Sequence, residues 1–332
     1  MFTLSRIYGV PVSHIAERFE LCLKFGMFPP AAVTKSVEEA LDEAKRLRVA
    51  GRHTEALLFY ESLLERREEI PEEDVASWTI DLKLECINCL VKLSREASAK
   101  EECEELLGSP GLTSSQQVLT LHYFAMCCYK FGRFTVAMMA VERAEQVLAK
   151  LDDRGNLEAH LLALKGNLHF IGKRFAEAAD AYRAATESFQ ELSIPFEACR
   201  TQLNVAASLI ELRTLTEARK ILMTVLQIAE SAGYDRQYAF AMSHLALLAY
   251  REDDLTGAEA YCLRSNRLAR PREYVSILFR NCYYLWRIAQ ARQDDTGIKT
   301  NERTLRTYLS RVEGYMPEAE EFGTFLGGGE NE

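Results

Sequence analysis

Histidine is the side chain best suited to acid–base or metal chemistry near neutral pH, but the six histidines of this sequence form no cluster. They are scattered singly, as His14, His53, His122, His160, His169 and His244. The sequence contains no HExxH, GxSxG, GxGxxG or phosphate-loop motif in a plausible context. It therefore predicts a protein with no catalytic residues, no metal site and no cofactor, which is not an enzyme.

The nine cysteines also lack the spacing of a reactive site. The one CxxC pair, Cys86 and Cys89, has no second pair at zinc spacing. The adjacent Cys127 and Cys128 point to different sides of a helix. An odd number of thiols in a chain too large to depend on disulfides favours reduced cysteines that pack in a core.

The charge balance limits the classes of partner. Lys plus Arg is 40 and Asp plus Glu is 49, which gives a net charge of −9 and argues against non-specific binding to nucleic acid or to an anionic membrane. No apolar run approaches the roughly 18 residues of a membrane span, and the first twenty residues lack the features of a signal peptide. We therefore expect a cytoplasmic protein that does not bind membranes.

Any binding residues must be positioned by helices. Eight prolines are separated by long helix-favouring stretches, and they mark joints because a proline inside a helix costs roughly 3 kcal/mol. Within the stretches apolar residues recur at helical spacing, as in Leu157, Leu161, Leu164 and Leu168. Alternating strand patterns and Asn-Gly hairpins are absent, which predicts an all-α fold.

Four segments of the chain align with one another, and in each a small residue is followed twelve positions later by alanine. The pairs are Ala125 and Ala137, Gly166 and Ala178, Ala206 and Ala218, and Ala246 and Ala258. The second alanines are 41, 40 and 40 residues apart, and an earlier pair, Ala44 and Ala56, leaves room for a degenerate repeat at about 74–108. Since closely crossing antiparallel helices need a small residue at the crossing, the spacing predicts helix pairs with a period near 40.

The segment GNLHFIGKRFAEAADAYRAA, residues 166–185, matches residue by residue the tetratricopeptide pattern of a small residue, a turn, an aromatic, and then alanine, aromatic and alanine. The chain resembles that family over roughly 34–313, as six to seven repeats, with a longer period than the family's usual value of about 34. The resemblance implies a right-handed superhelical solenoid. The chain is similar to the repeat part of bacterial peptide-responsive regulators that join a helix-turn-helix to such repeats.

The resemblance places a ligand groove along the first helix of each pair. If the first small residue is position eight, then positions two, five, six, nine and twelve lie on or near the groove, and we call them the groove positions. The candidate ligand-binding residues are His122, Tyr123, Met126, Asn167, Phe170, Arg200, Asn204, His244, Tyr250, Tyr283 and Arg287. Aromatic, amide and basic side chains are thus interleaved along one predicted line.

Asn167 and Asn204 stand where peptide-binding members of the family present asparagine to a ligand backbone. An amide suits this task because it both donates and accepts hydrogen bonds, as an extended peptide does. Arg280 and Arg287 share a helix face and could bind an acidic side chain or a carboxyl end. The alternative is that the amides bond to the backbone or to neighbouring helices and that the aromatics pack. The arginines would then pair with nearby acids such as Asp294 or be simply solvated.

Residues 1–33 carry a second, shorter resemblance. The phrase YGVPVSHIAERF, from Tyr8, is similar to the last helices of Cro/repressor-type DNA-binding domains and equally to the helical segment that closes ImmA/IrrE-type metallopeptidase domains. The sequence has neither a preceding recognition helix nor HExxH. A third interpretation, beside a DNA-binding or a metallopeptidase-like remnant, is a helical cap on the solenoid.

These patterns predict three parts: a helical segment at 1–33, a tetratricopeptide-like solenoid at 34–313, and a flexible acidic tail at 314–332. The tail is predicted from its glutamates and glycines and from the absence of lysine or arginine after Arg311. The favoured function is a non-enzymatic module that binds a peptide or protein in bacterial regulation. Two alternatives stay open: an oligomerisation scaffold without a small ligand, and a transcriptional regulator that binds nucleic acid through residues 1–30.

Overall fold

The computed structural model describes residues 36–69, 75–152, 154–312 and 316–328, and within these ranges its regular elements are helices, with no strand. Contacts divide the chain into two compact units, Met1–Leu112 and Thr113–Glu332. The helix-turn-helix-like segment predicted at 1–33 falls outside the described residues, so its interpretation stays a prediction.

Two helix pairs form the described part of the first unit. The elements are α1 Val37–Val49, α2 His53–Glu65, a 3-10 turn at Arg67–Glu69, α3 Val75–Lys92 and α4 Glu96–Gly108. The second pair occupies the place of the degenerate repeat expected at about 74–108. Ala56 and Ala99, on the second helix of each pair, are completely buried, as the crossing of two close helices requires.

The second unit contains five helix pairs and a final single helix. The helices are α5 Ser114–Lys130, α6 Phe134–Leu148, α7 Leu157–Ile171, α8 Phe175–Glu191, α9 Pro195–Glu211, α10 Leu215–Ala232, α11 Asp235–Arg251, α12 Leu255–Ala269, α13 Val275–Ala291, α14 Asp295–Leu309 and α15 Pro317–Gly328. The described residues of both units thus contain seven pairs. The prediction of an all-α solenoid of helical repeats is confirmed.

The small residues that define the repeat are buried where helices cross. Ala137, Ala178, Ala218 and Ala258 are all completely inaccessible to solvent. At Gly166, a Cβ atom would lie 2.6 Å from ring carbons of Tyr182, far closer than two carbons can approach. The small side chains are therefore a steric requirement of the helix pair.

The C-terminal segment differs from the flexible tail that its composition predicts. Residues 317–328 form α15, which packs against α13 of the last pair. Phe322 is completely buried, with its ring centroid 6.3 Å from that of Phe279 and 5.5 Å from that of Trp286. The expectation of a flexible acidic tail is therefore wrong for 317–328, because the aromatic side chains anchor the helix despite its acidic composition.

Candidate functional site

A cavity of about 560 Å³ lies in the second unit, between the first helices of successive pairs and α15. Four first helices contribute to its wall: α7, α9, α11 and α13. Their lining residues are Phe170, Ala207, Glu211, His244, Leu247, Arg251, Arg280 and Tyr284. Lys173 and Phe175 also line it, and α15 contributes Pro317, Glu318, Glu320, Glu321 and Thr324.

Most of the cavity wall from the first helices consists of groove positions. Phe170 stands at position twelve of its repeat, Ala207 and Leu247 at position nine, and His244 at position six. Side chains that are about 40 residues apart in the sequence therefore reach one space. This is the geometry that an elongated ligand would need, since each repeat can contact a different part of it.

The cavity contains paired charges. Arg251 Nη2 lies 3.3 Å from both carboxylate oxygens of Glu211, which joins the ends of α11 and α9. Arg280 Nε donates a hydrogen bond of 3.0 Å to Glu318 Oε1 on α15. The second pair is the more enclosed, since its side chains are only 14% and 7% exposed, and an ion pair so far from water is held by hydrogen bonds as well as by charge.

His244 and Tyr284 complete the surroundings of Arg280. The Tyr284 hydroxyl donates to Glu318 Oε1 at 3.3 Å, and His244 Nε2 lies 3.4 Å from Arg280 Nη1. Burial, together with the positive charge of Arg280, holds the pKa of His244 well below its usual value. The imidazole is therefore neutral at physiological pH, so its Nε2 can accept a hydrogen bond from the guanidinium.

A second carboxylate of α15 binds to the neighbouring turn of α13. The Tyr283 hydroxyl donates to Glu321, and Arg287 Nη1 donates to the Tyr283 oxygen at 2.9 Å while lying 3.8 Å from Glu321. The Arg287 guanidinium also lies 5.8 Å from the centre of the Tyr283 ring. Burial raises the pKa of Tyr283, which keeps its hydroxyl protonated as a donor.

The acids that pair with Arg280 and Arg287 thus come from α15. Asp294, the partner considered from the sequence, instead caps the start of α14, where its side chain accepts a hydrogen bond from the Gly297 N–H at 3.0 Å. Pairing of the two arginines with acids of the chain was the alternative to ligand binding in the sequence analysis, and these acids are Glu318 and Glu321 of α15 and not Asp294.

The two asparagines lie one helical turn before cavity residues. Asn167 precedes Phe170 by three positions and Asn204 precedes Ala207 by three, so each shares a helix face with a residue of the cavity wall. Asn167 Oδ1 accepts a hydrogen bond of 2.7 Å from the Tyr182 hydroxyl. The Asn167 side chain therefore already makes a hydrogen bond within its own helix pair. The side chains of Asn167 and Asn204 are both half-buried.

The remaining candidates are divided between the cavity region and the preceding repeats. Tyr250 packs against Tyr284, with ring centroids 5.3 Å apart. Arg200 donates to Glu197 of its own helix at 2.5 Å. The three candidates on α5 lie outside the described lining of the cavity: His122 is buried with its ring 5.8 Å from that of His160, while Tyr123 and Met126 are half-buried.

Comparison with known proteins identifies the fold. No protein-family description and no curated protein matches the sequence. The structure is similar to that of NprR in complex with its cognate peptide NprX, with a TM-score of 0.66, 16% identity and coverage of 88% of this chain and 82% of that one. It is also similar to a Rap protein complexed with competence and sporulation factor, with a TM-score of 0.65, 15% identity and coverage of 86% and 77%. The fold is a tetratricopeptide-repeat fold.

A third similar structure is a tetratricopeptide repeat protein from Parabacteroides merdae, with a TM-score of 0.56, 12% identity and coverage of 86% of this chain and 96% of that one. Sequence identities this low establish the tetratricopeptide-repeat fold and no more. They agree with the resemblance found in residues 166–185, which rested on the order of small residues, turn and aromatics in that segment.

Three further features of the described residues are the state of their cysteines, the placement of their metal-ligating side chains and the length and polarity of their helices. The eight cysteines that the described ranges contain are all buried and free of disulfides, and burial raises the pKa of the Cys89 thiol to about 12. In those ranges no three metal-ligating side chains come together. The same residues include no helix that is both long and apolar enough to cross a bilayer.

Sequence reasoning missed the cavity residues Lys173, Glu211, Arg251, Glu318 and Glu321. The first three lie at or beyond the ends of the first helices, outside the groove positions that the tetratricopeptide resemblance supplies. The two glutamates belonged to the expected tail. Their spacing of three residues, with Phe322 following, is the signal that could have indicated a helix with a contact face.

The buried His244 predicts a pH dependence of stability. Its pKa is lowered in the folded chain, so below about pH 6.5 the unfolded chain takes up a proton that the folded chain does not. As the pH falls below that value, protonation of the unfolded chain should lower the free energy of unfolding by up to about 1.4 kcal/mol per pH unit. His244→Gln should remove this contribution to the pH dependence.

Urea denaturation at several pH values between about 5.5 and 7.5 measures this slope. His169→Gln is the matched control, since that histidine is only half-buried on α7 and should change the slope less. Equal slopes for the wild type and His244→Gln would contradict the prediction.

Proposed function

We propose that this protein is a non-enzymatic module that binds a peptide or an extended protein segment along the first helices of its tetratricopeptide repeats, in bacterial regulation or signalling. The observation that carries the proposal is the set of groove-position side chains from four successive pairs that reach one cavity. A site built from several repeats suits an elongated ligand better than a compact one.

The chemistry of this face suits an extended polypeptide. Asn167 and Asn204 offer amides that can both donate to and accept from a ligand backbone, and they lie about one repeat apart on neighbouring first helices. Phe170, Phe175 and Leu247 provide apolar surface beside them for ligand side chains. Backbone recognition and side-chain pockets together are what peptide binding requires.

The similar solved structures support this proposal by analogy. NprR was solved with its cognate peptide NprX and is also described as a quorum sensor, and the Rap protein was solved with competence and sporulation factor. A tetratricopeptide-repeat fold of this kind is therefore compatible with peptide binding in bacterial signalling. The non-enzymatic part of the proposal rests on the sequence, which contains no recognisable catalytic motif.

Identification of co-purified peptides and proteins by mass spectrometry supplies the ligand for a direct test. Asn204→Ala should then lower the affinity for that ligand by roughly tenfold, since it removes hydrogen bonds worth about 0.5 to 1.5 kcal/mol each and leaves ligand backbone groups unpaired. Isothermal titration calorimetry measures the change. Asn204 is preferred to Asn167 because truncation of Asn167 also removes the partner of Tyr182.

Gln202→Ala is the matched control. Gln202 lies on the same helix two residues earlier, about 200° around the helix axis, and lines a small cleft beside Ile194 and Ile228. Its truncation should leave the affinity unchanged. A ligand that binds wild type and Asn204→Ala equally would refute the assigned site, and a purified chain that only self-associates would favour the scaffold alternative.

A further inference from the structure

Helix α15 of the chain itself occupies the groove positions of the last repeat. Its Glu318 and Glu321 bind the side chains at positions two, five, six and nine of that repeat, which are Arg280, Tyr283, Tyr284 and Arg287. In the other repeats the proposed function assigns these positions to a ligand. In the last repeat they are filled by two carboxylates of the same molecule.

The side chains of α15 that make contact lie on one face of the helix. Glu318, Glu321, Phe322 and Phe325 follow the spacing i, i+3, i+4 and i+7. The rings of Phe322 and Phe325 lie 5.5 and 5.0 Å from that of Trp286. The face therefore combines two acids, one helical turn apart, with two aromatic rings, and α13 presents two bases and an indole to match them.

The enclosed position of Arg280 restricts what can replace α15. The Arg280 side chain is 14% exposed, and a guanidinium left there without an anion is strongly unfavourable. A competitor must therefore bring a carboxylate of its own, and it must cover the apolar surface of Trp286 and Phe279. A peptide without a carboxylate cannot meet the first requirement and leaves α15 in place.

We propose that α15 is an internal ligand of this end of the groove, and that the external ligand is a peptide segment with the same chemistry: two acidic residues one helical turn apart, followed by aromatic residues. Binding of the external segment displaces α15, so occupancy of the groove is coupled to release of the C-terminal helix. This inference rests on the proposed function and specifies its ligand class.

The probe that tests the inference is a fluorescein-labelled peptide of residues 316–328, with the sequence MPEAEEFGTFLGG, titrated into the full chain and followed by fluorescence anisotropy. In the double variant Glu318→Gln/Glu321→Gln the internal ligand is weakened, so the probe should bind at least about tenfold more tightly than to the wild type. A probe with glutamine at both positions should lose that gain, and so should Arg280→Gln/Arg287→Gln in the receiving helix.

Equal affinity of the probe for the wild type and for Glu318→Gln/Glu321→Gln would overturn the inference, as would binding that is indifferent to the carboxylates of the probe. Since the double variant could unfold, a second measurement uses the wild type alone. Hydrogen exchange of residues 317–328 should accelerate when excess probe, distinguished by its label mass, is added. Unchanged exchange at probe concentrations that saturate binding would also overturn it.

The outcome can be separated from that of the proposed function. A co-purified ligand whose affinity falls in Asn204→Ala but is identical in Glu318→Gln/Glu321→Gln would refute competition by α15 and leave peptide binding intact. Exchange of α15 for the probe, combined with a ligand indifferent to Asn204→Ala, would support the internal ligand and refute the assigned amide contacts.

Discussion

Replacement of Phe322 by alanine should release helix α15 from the second unit without unfolding the repeats. Phe322 is completely buried, and truncation of a buried phenylalanine costs about 3 to 5 kcal/mol. Isolated helices of about twelve residues are marginal in water, so α15 depends on tertiary contacts for its structure. Loss of its most buried ring should therefore cost more than the remaining contacts can offset.

Trp286 is a natural reporter of this release. It is buried against Phe322 and Phe325, and the chain's only other tryptophan, Trp78, can be replaced by phenylalanine to leave one emitter. In that background Phe322→Ala should move the emission to longer wavelength as water reaches the indole. Far-ultraviolet circular dichroism should lose no more than the signal of α15.

Phe325→Ala is the matched control, because Phe325 contacts the same indole from the same helix but is 47% exposed. Its truncation should cause a smaller shift. An unchanged emission maximum in Phe322→Ala, with residues 317–328 still protected from hydrogen exchange, would show that α15 is held by other contacts.

The helix pairs could be predicted from the sequence because their determinants are local and repeated. A close crossing needs a small residue on each helix, and Gly166 and Ala178 meet this need within one continuous segment. The same rule explains why the repeat pattern is weak in the second pair, at about 74–108, and also in the last pair. Position eight is Ile87 in the second pair and Trp286 in the last, where the other repeats have alanine or glycine.

Trp286 illustrates what a repeat pattern cannot reveal. Its ring packs against Phe322 and Phe325 of α15, a helix that lies outside the repeat pattern. The contact partners of Glu318 lie 34 and 38 positions earlier in the chain, and a spacing rule derived from single repeats does not reach them. Composition alone favoured a solvated tail because it counts the glutamates and glycines of the whole segment. It does not register that the phenylalanines lie on one face of a helix.

The side chains of Asn167 and Asn204 show a second property that position in a repeat does not predict, which is the hydrogen-bond partner. The resemblance placed Asn167 and Asn204 at equivalent tasks, yet the structure gives Asn167 a hydrogen bond with Tyr182 of its own pair. Position within a repeat determines which face a side chain occupies, whereas its partners depend on the residue opposite. Asn167 and Asn204 can therefore share a face and still differ in the effect of truncation.

Ala178→Phe should destabilise the second unit by roughly 1 to 3 kcal/mol or more, because a ring in place of a methyl group overpacks the crossing of α7 and α8. Ala178 is completely buried in a cluster that includes Tyr182, Val205 and Ala206. Each repeat in such an array is supported by its neighbours, so the strain should spread to α9 and lower the unfolding midpoint of the unit. Urea denaturation followed by circular dichroism measures the change.

Ala176→Phe separates the effect of position from the effect of the ring. Ala176 lies on the same helix two residues earlier and is exposed, so the same substitution adds the same ring where solvent can accommodate it. Its free energy of unfolding should stay within about 0.5 kcal/mol of that of the wild type. If Ala178→Phe and Ala176→Phe unfolded at the same urea concentration, α7 and α8 would have room for a ring between them, and the small residues of the repeat would need another explanation than close helix crossing.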